Sequence, residues 1–158
     1  MLKKISLKTH HRVGGRFAIV ASRYNRRYVD AMVRAAVRTL KGAGGSVEVI
    51  RVPGAFEIPA VAAKLALAEG FDALVCLGVV LRGATTHAQH IGEAVTNALI
   101  LLQVTYQIPV IHEVLLLLEN EDQARERCLD PKHNRGIEAA QTALEMAAVM
   151  RRLGRRSK

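Results

Sequence analysis

The chain of 158 residues contains no tryptophan, and aromatic side chains make up only 4% of it. Half of the residues are nevertheless hydrophobic, so the core must be filled mainly by aliphatic side chains. Cysteine is also scarce, because only Cys76 and Cys128 are present and neither belongs to a CxxC motif. We expect both to be reduced thiols in or near the core, as is typical of proteins in a reducing cytoplasm.

Long hydrophobic runs are absent too. Residues 73–77 and 115–118 are among the longest, whereas a membrane-spanning helix needs about 20 apolar residues. No apolar segment follows the first four residues, so we expect no signal peptide, no membrane span and a cytoplasmic location. The histidines and cysteines lack the spacing of a metal site, and no Walker or GxGxxG motif is present, so we expect no metal ion.

Acidic residues are few. The chain has 14 acidic residues against 23 lysines and arginines, a net charge of +9. Much of the positive charge lies at the C-terminus: Arg151, Arg152, Arg155, Arg156 and Lys158. A solvated tail explains this cluster, and attraction to a polyanion is the alternative. Because no nucleic-acid-binding motif accompanies the charge, we expect at most non-specific binding of nucleic acid through this tail.

Hydrophobic periodicity predicts that strands and helices alternate along the chain. Apolar runs predict four strands, at residues 17–21, 46–52, 73–81 and 110–116. Helices are predicted at residues 28–41, 60–69, 87–107, 121–128 and 136–153. This alternation favours an α/β three-layer sandwich, in which a four-stranded parallel sheet has helices on both faces. We expect residues 1–158 to form a single domain with an N-terminal arm (1–14) and a basic tail (154–158).

The segments that follow the strands are the candidate site, because ligands of such sheets bind outside the carboxyl ends of the strands. Residues 83–87 have the sequence Gly-Ala-Thr-Thr-His and lead into the long third helix. Small residues and the free N–H groups of a helix N-terminus suit an anion. Thr85 and Thr86 could donate hydroxyl groups to it, or a threonine could simply cap the helix.

Other polar and aromatic residues near the strand ends also have two interpretations. His87 could transfer protons, because a helix N-terminus favours a neutral imidazole, or it could be an ordinary surface histidine. Tyr24 could stack on a flat heterocycle or pack against the protein. Glu57 could accept hydrogen bonds from sugar hydroxyls or cap the following helix. Arg127 and Arg135 could bind a phosphate through their planar guanidinium groups or remain solvated.

Several segments, taken together, resemble the lumazine synthase family from about residue 17 to residue 153. They are residues 22–25 (SRYN), 52–59 (VPGAFEIP), 77–87 (LGVVLRGATTH), 122–127 (DQARER) and 134–140 (NRGIEAA). The second and third, in this order, are specific to the family rather than to the fold. The resemblance implies a flavodoxin-like sheet. It also implies a cofactor-free reaction, in which a ribitylaminouracil condenses with 3,4-dihydroxy-2-butanone 4-phosphate.

The resemblance also implies roles for individual residues. Tyr24 would stack on the pyrimidine ring, and His87 would transfer protons. The ribityl chain and the ring edge would lie against Ala55, Phe56 and Glu57, with Val79 and Val80 nearby. The substrate phosphate would be bound by Gly83, Ala84, Thr85 and Thr86, with help from Arg127 of the adjacent subunit. Asn25, His112 and Arg135 complete the predicted substrate-binding residues.

The fourth strand and the segment after it depart from the family pattern. His112 and Glu113 stand where the family usually has Phe-Gly, and Arg135 stands where it usually has a lysine. His112 can still stack and Arg135 can still donate hydrogen bonds. We therefore expect activity with altered affinity.

The resemblance implies a homopentamer with sites shared between neighbouring subunits. The connection at residues 129–136 lacks the insertion of members that stop at pentamers, so a shell of 60 subunits is allowed, and riboflavin synthase is a candidate partner. The main alternative is a catalytically weak or inactive self-assembling shell protein of the same family. A flavin- or nucleotide-binding module and a nucleic-acid-binding protein are the others. Assembled particles that convert neither substrate would favour the shell protein.

Overall fold

Four parallel strands form the central sheet of the computed structural model, which describes residues 14–117 and 121–156. They are β1 (Arg16–Ser22), β2 (Ser46–Val52), β3 (Ala73–Leu81) and β4 (Val110–Leu117). Their order across the sheet is β2-β1-β3-β4, and Val20 of β1 lies between Ile50 and Cys76. The predicted α/β fold is confirmed, and the carboxyl ends of all four strands lie at one edge of the sheet.

Helices cover both faces of this sheet. They are α1 (Arg26–Gly42), α2 (Ile58–Ala68), α3 (His87–Tyr106), α4 (Glu121–Cys128) and α5 (Arg135–Arg156). One core cluster joins the sheet to α1, α4 and α5, and the other joins it to α2 and α3. Alternate residues of β1 and β3 belong to the two clusters, as expected of parallel strands that are buried on both faces. No described helix is long and apolar enough to cross a membrane.

The last helix is longer than the periodicity predicts. It continues to Arg156 instead of ending near Leu153, so Gly154 and Arg155 are helical rather than part of a tail. A tertiary contact anchors the helix just before this point, because Arg151 Nε donates to Asp72 Oδ1 at 3.0 Å and Arg151 Nη2 donates to Gly14 O at 3.2 Å. These bonds fasten the end of α5 to the segments that precede β1 and β3. The predicted arm up to residue 13 and the tail residues 157–158 lie outside the described residues.

Both cysteines are buried and neither forms a disulfide, which confirms the prediction of core thiols. Burial raises the pKa of the Cys76 thiol to about 12. Burial, together with the nearby carboxylate of Glu113, raises the pKa of Cys128 to about 11. Both side chains therefore remain protonated at neutral pH and act as small apolar groups.

Gly136 lies where the first turn of α5 meets the backbone of α1. A Cβ atom at this position would overlap the carbonyl group of Met32, which cannot move without shifting α1. We expect Gly136→Ala to lower the free energy of unfolding by about 1–3 kcal/mol and the thermal midpoint by several degrees. Gly154→Ala is the matched control on the same helix, because no atom of the described residues lies within 4 Å of its Cβ position. Equal midpoints for the two variants, measured at one protein concentration, would contradict this packing argument.

Candidate active site

The loops that follow β1 and β2 are joined by backbone hydrogen bonds. The N–H of Arg23 donates to Val52 O at 2.8 Å, and the N–H of Tyr24 donates to Pro53 O at 3.2 Å. The ring of Tyr24 lies beside Gly54, where a Cβ atom would approach it to 3.3 Å. Its side chain is nevertheless 72% exposed, so one face of the ring is open to a ligand. This exposure is compatible with the predicted stacking role and shows that Tyr24 is not a core residue.

Asn25 connects the β1 loop to β3. It precedes α1 in a left-handed conformation with φ 53°, which asparagine tolerates better than most residues. Its Nδ2 donates a hydrogen bond of 2.7 Å to the carbonyl oxygen of Val79. The side chain of Val79 is only 2% exposed and packs in the core, so the part of Val79 that meets this loop is its carbonyl group. The partly buried Val80 packs against the cluster on the other face.

After β2 the chain forms a short 3₁₀ turn (Ala55–Glu57) that leads directly into α2. Glu57 Oε2 accepts a hydrogen bond of 2.9 Å from the N–H of Gly54, so the carboxylate organises its own turn. Ala55 is buried, whereas Phe56 is 61% exposed. Tyr24 and Phe56 thus present aromatic surface to solvent at the carboxyl edge of the sheet, in a chain that has few aromatic residues.

A surface pocket of about 420 Å³ lies where the chain passes from β3 into α3. Its lining comprises Arg82, Gly83, Ala84, Thr85, Thr86, Gln89 and Glu93. Thr86 precedes the helix without capping it through its side chain, while Thr85 Oγ1 accepts a long bond of 3.4 Å from the N–H of His87. The backbone bond from His90 N–H to Thr86 O spans the first turn of α3, so the N–H groups of Ala88 and Gln89 precede the first intrahelical bond and can meet an anion.

Packing within the chain does not explain why residue 83, in this pocket, is a glycine. No described atom lies within 4 Å of the Cβ position of Gly83. Gly83 to Thr86 and His87 are all exposed. The space next to this loop is therefore open to a ligand that approaches the backbone closely.

His112 lies in β4, an outer strand of the sheet, and its side chain faces α3. Its Nδ1 accepts a hydrogen bond of 3.1 Å from the N–H of Val114, so Nε2 bears the proton and donates to Thr96 Oγ1 at 2.7 Å. Burial lowers the pKa of His112, which keeps the ring neutral. Within this chain the ring is thus held by α3, and its predicted stacking on a substrate stays a prediction.

Arg127 and Arg135 lie on the opposite face of β4 from His112, near Glu113. Arg135 Nη1 forms an ion pair of 2.5 Å with Glu138 Oε2. Burial raises the pKa of Glu113 to about 7, because the nearby arginines do not compensate for the loss of hydration. Glu113 is not among the predicted site residues and enters the sequence pattern only as a departure from the family. Its signal in the sequence is an acidic residue within a mostly apolar strand.

The predicted site residues thus form two groups within one chain. The loop group comprises Tyr24, Asn25, residues 55–57, Val79, Val80 and residues 83–87. The β4 group comprises His112, Arg127 and Arg135, together with Glu113, and none of these lines the pocket at the start of α3. Within the described ranges, no cluster of three or more His, Cys, Asp or Glu side chains could hold a metal ion.

Similarity to known proteins indicates the family to which the chain belongs. Residues 14–151 match the family model described as 6,7-dimethyl-8-ribityllumazine synthase. Two relatives of that name, from Stenotrophomonas maltophilia strains R551-3 and K279a, are each 41% identical to the chain over 141 residues. The alignments cover 87% of this chain and 90% of each relative. Every residue of the loop group and the β4 group lies within the matched range.

Asn25 allows a test of how the β1 loop is held. Asn25→Gly removes the hydrogen bond to Val79 but tolerates the left-handed backbone, which costs about 1 kcal/mol of unfolding free energy. Asn25→Ala removes the bond and adds backbone strain of about 1–2 kcal/mol. We expect stability in chemical denaturation to fall in the order wild type, Gly variant, Ala variant. An alanine variant as stable as the glycine variant would contradict the role of backbone conformation here.

Proposed function

The chain is a transferase that belongs to the 6,7-dimethyl-8-ribityllumazine synthase family, and we propose its substrates and the roles of its residues. It condenses 5-amino-6-ribitylaminouracil with 3,4-dihydroxy-2-butanone 4-phosphate to form 6,7-dimethyl-8-ribityllumazine, in riboflavin biosynthesis. The primary amine attacks the ketone, and an imine forms with loss of water. Phosphate is then eliminated, and ring closure releases water again. This sequence requires an anion site, a proton carrier and two oriented reactants.

The pocket at the start of α3 is the observation that best supports this proposal. It combines exposed small residues, hydroxyl groups and the N-terminus of a 20-residue helix. The partial positive charge of a helix N-terminus and its unpaired N–H groups favour a phosphate group. The same groups stabilise the negative charge that grows on the phosphate as it leaves. Arg82, in the lining of the pocket, adds a further positive charge.

His87 is the first residue of α3 and therefore lies next to the proposed phosphate site. Its ring is exposed, so a substrate can reach it. Imine formation and phosphate elimination both require proton transfers to and from carbon, nitrogen and oxygen atoms. An imidazole ring can both accept and return such protons. We therefore assign proton transfer to His87.

The exposed rings of Tyr24 and Phe56 provide apolar surface for a planar pyrimidine. Asn25 holds the backbone next to Tyr24 through its bond to Val79. Glu57 is fixed in direction by its bond to the N–H of Gly54, and its carboxylate also remains exposed to the hydroxyl groups of a ribityl chain. These contacts preorganise the surface on which the uracil substrate is proposed to bind.

Replacement of His87 tests the proposed chemistry. We expect His87→Ala to lower kcat at the lower end of the range of about 10²–10⁴-fold that general acid–base catalysis contributes. His90→Ala is the matched control, because His90 lies on the same helix, is also exposed and does not line the pocket. Lumazine absorbance and phosphate release are followed together. Equal rates for the two variants would remove His87 from the mechanism. Assembled wild-type protein without turnover would instead favour the inactive shell protein.

We also propose a homopentamer, in which the loop group of one subunit meets the β4 group of its neighbour. The absence of the β4 group from the lining of the pocket at the start of α3 supports this arrangement. So does an apolar stripe on the outer side of α3, where Ile100, Leu101 and Val104 are all more than half exposed. Large exposed side chains at this helical spacing are typical of an interface with another chain.

Introducing a charged side chain into this apolar stripe tests whether the stripe forms an interface between subunits. Leu101 is 67% exposed here, and its burial in an interface would contribute about 1.5–3 kcal/mol. We expect Leu101→Glu to yield smaller species on a sizing column with light scattering, and to lose turnover. Leu153→Glu is the control, since Leu153 is exposed on α5 in the other helical layer. Wild-type size for Leu101→Glu would contradict an interface at this stripe.

A further inference from the structure

Two further polar side chains line the pocket at the start of α3. Gln89 and Glu93 lie one and two turns after Thr86, the residue that precedes the helix, and on the same helical face. Both side chains are exposed to solvent. Neither is among the site residues predicted from the sequence, and neither is needed to bind a phosphate group at the helix N-terminus. The pocket therefore extends beyond the groups assigned to the phosphate.

Gln89 and Glu93 are joined by a hydrogen bond along the helix. Gln89 Nε2 donates to Glu93 Oε1 at 2.8 Å. The amide oxygen of Gln89 and the second carboxylate oxygen of Glu93 accept no hydrogen bond from the described residues. This end of the pocket thus offers mainly hydrogen-bond acceptors, together with the negative charge of a carboxylate.

These acceptors are unsuited to the phosphate group itself. A carboxylate has no proton to donate to phosphate oxygens, and its charge repels them. Two turns of an α-helix rise by about 11 Å, so a phosphate at the helix N-terminus lies far enough from Glu93 for salt to screen most of this repulsion. Because helical side chains lean toward the N-terminus, Glu93 instead faces the carbon chain of a phosphate ester bound there.

We propose that Gln89 and Glu93 form a hydroxyl-binding subsite, which selects phosphate esters that carry a hydroxyl group on the carbon chain. A hydroxyl group donates to a carboxylate in a short, charge-assisted hydrogen bond, and Gln89 holds the carboxylate in place for it. This inference rests on the proposed function, whose ketose phosphate has a free hydroxyl group next to its phosphorylated carbon. Glu93 determines which ester binds, and no covalent step is assigned to it.

The same subsite disfavours two other classes of phosphate ester. An ester with a carboxylate on its carbon chain would bring a second negative charge close to Glu93, which weakens binding. An alkyl phosphate without a hydroxyl group would displace water from Glu93 and Gln89 without offering them a donor in return. Both classes should therefore bind less tightly than a hydroxylated ester.

Matched phosphate esters test this subsite without any turnover. Propane-1,2-diol 1-phosphate differs from propyl phosphate only by a hydroxyl group next to the phosphorylated carbon. Binding of each ester, and of inorganic phosphate, to the assembled protein is measured by calorimetry at neutral pH. We expect the wild type to bind the hydroxylated ester roughly tenfold more tightly than propyl phosphate, as a hydrogen bond to a charged group contributes.

Variants separate this contact from a general change in the pocket. Glu93→Ala should lose the preference for the hydroxylated ester but bind inorganic phosphate at least as tightly as the wild type. A damaged pocket would instead weaken all three ligands together. Glu93→Gln, which keeps an acceptor but not the charge, should retain part of the preference. Glu145→Ala is the matched control with full preference, because it removes an exposed carboxylate from α5 in the other helical layer.

The outcomes distinguish this inference from the proposed function. Equal affinity of the wild type for the two esters, binding of neither, or an unchanged preference in Glu93→Ala would overturn the inference. Equal weakening of both esters in Glu93→Ala would also overturn it and would indicate that Glu93 pairs with a cation of another subunit. Since these esters bind without the uracil substrate, a wild type that shows the preference but forms no lumazine would count against the proposed function alone.

Discussion

The parallel pairing of all four strands determines where the candidate site residues lie. Each crossover through a helix returns the chain to the same end of the sheet, so the loops after β1, β2 and β3 meet at one edge. The central strands β1 and β3 are buried on both faces and have little room for polar groups. Polar side chains are thus confined to the strand ends and to the two edge strands, β2 and β4, of which β4 contains His112 and Glu113.

This edge is held rigid by bonds between loops rather than by the sheet alone. The N–H of Arg23 donates to Val52 O, and the amide group of Asn25 donates to Val79 O. These bonds join the ends of β1, β2 and β3, so the exposed ring of Tyr24 rests on a fixed backbone. Loops that are already joined in this way need no ordering before a ligand binds, which lowers the entropic cost of association.

Strand and helix positions could be predicted from the sequence because periodicity reports which residues are buried. Contacts between distant residues could not. The hydrogen bond from Arg151 to Asp72 spans 79 residues, and the bond from Asn25 to Val79 spans 54 residues. Nothing in the local pattern indicates these partners. The same holds for Glu113, whose setting depends on two helices that follow it in the chain.

The edge strand β4 shows how a buried acid makes stability depend on pH. Burial raises the pKa of Glu113 to about 7 in the folded chain, well above its ordinary value. The folded chain therefore holds a proton that the unfolded chain releases, and stability falls as pH rises from that ordinary value through about 7. A permanently apolar residue at this position of the strand would avoid that loss, so the acid imposes a pH-dependent cost on the fold that the packing of the core alone would not impose.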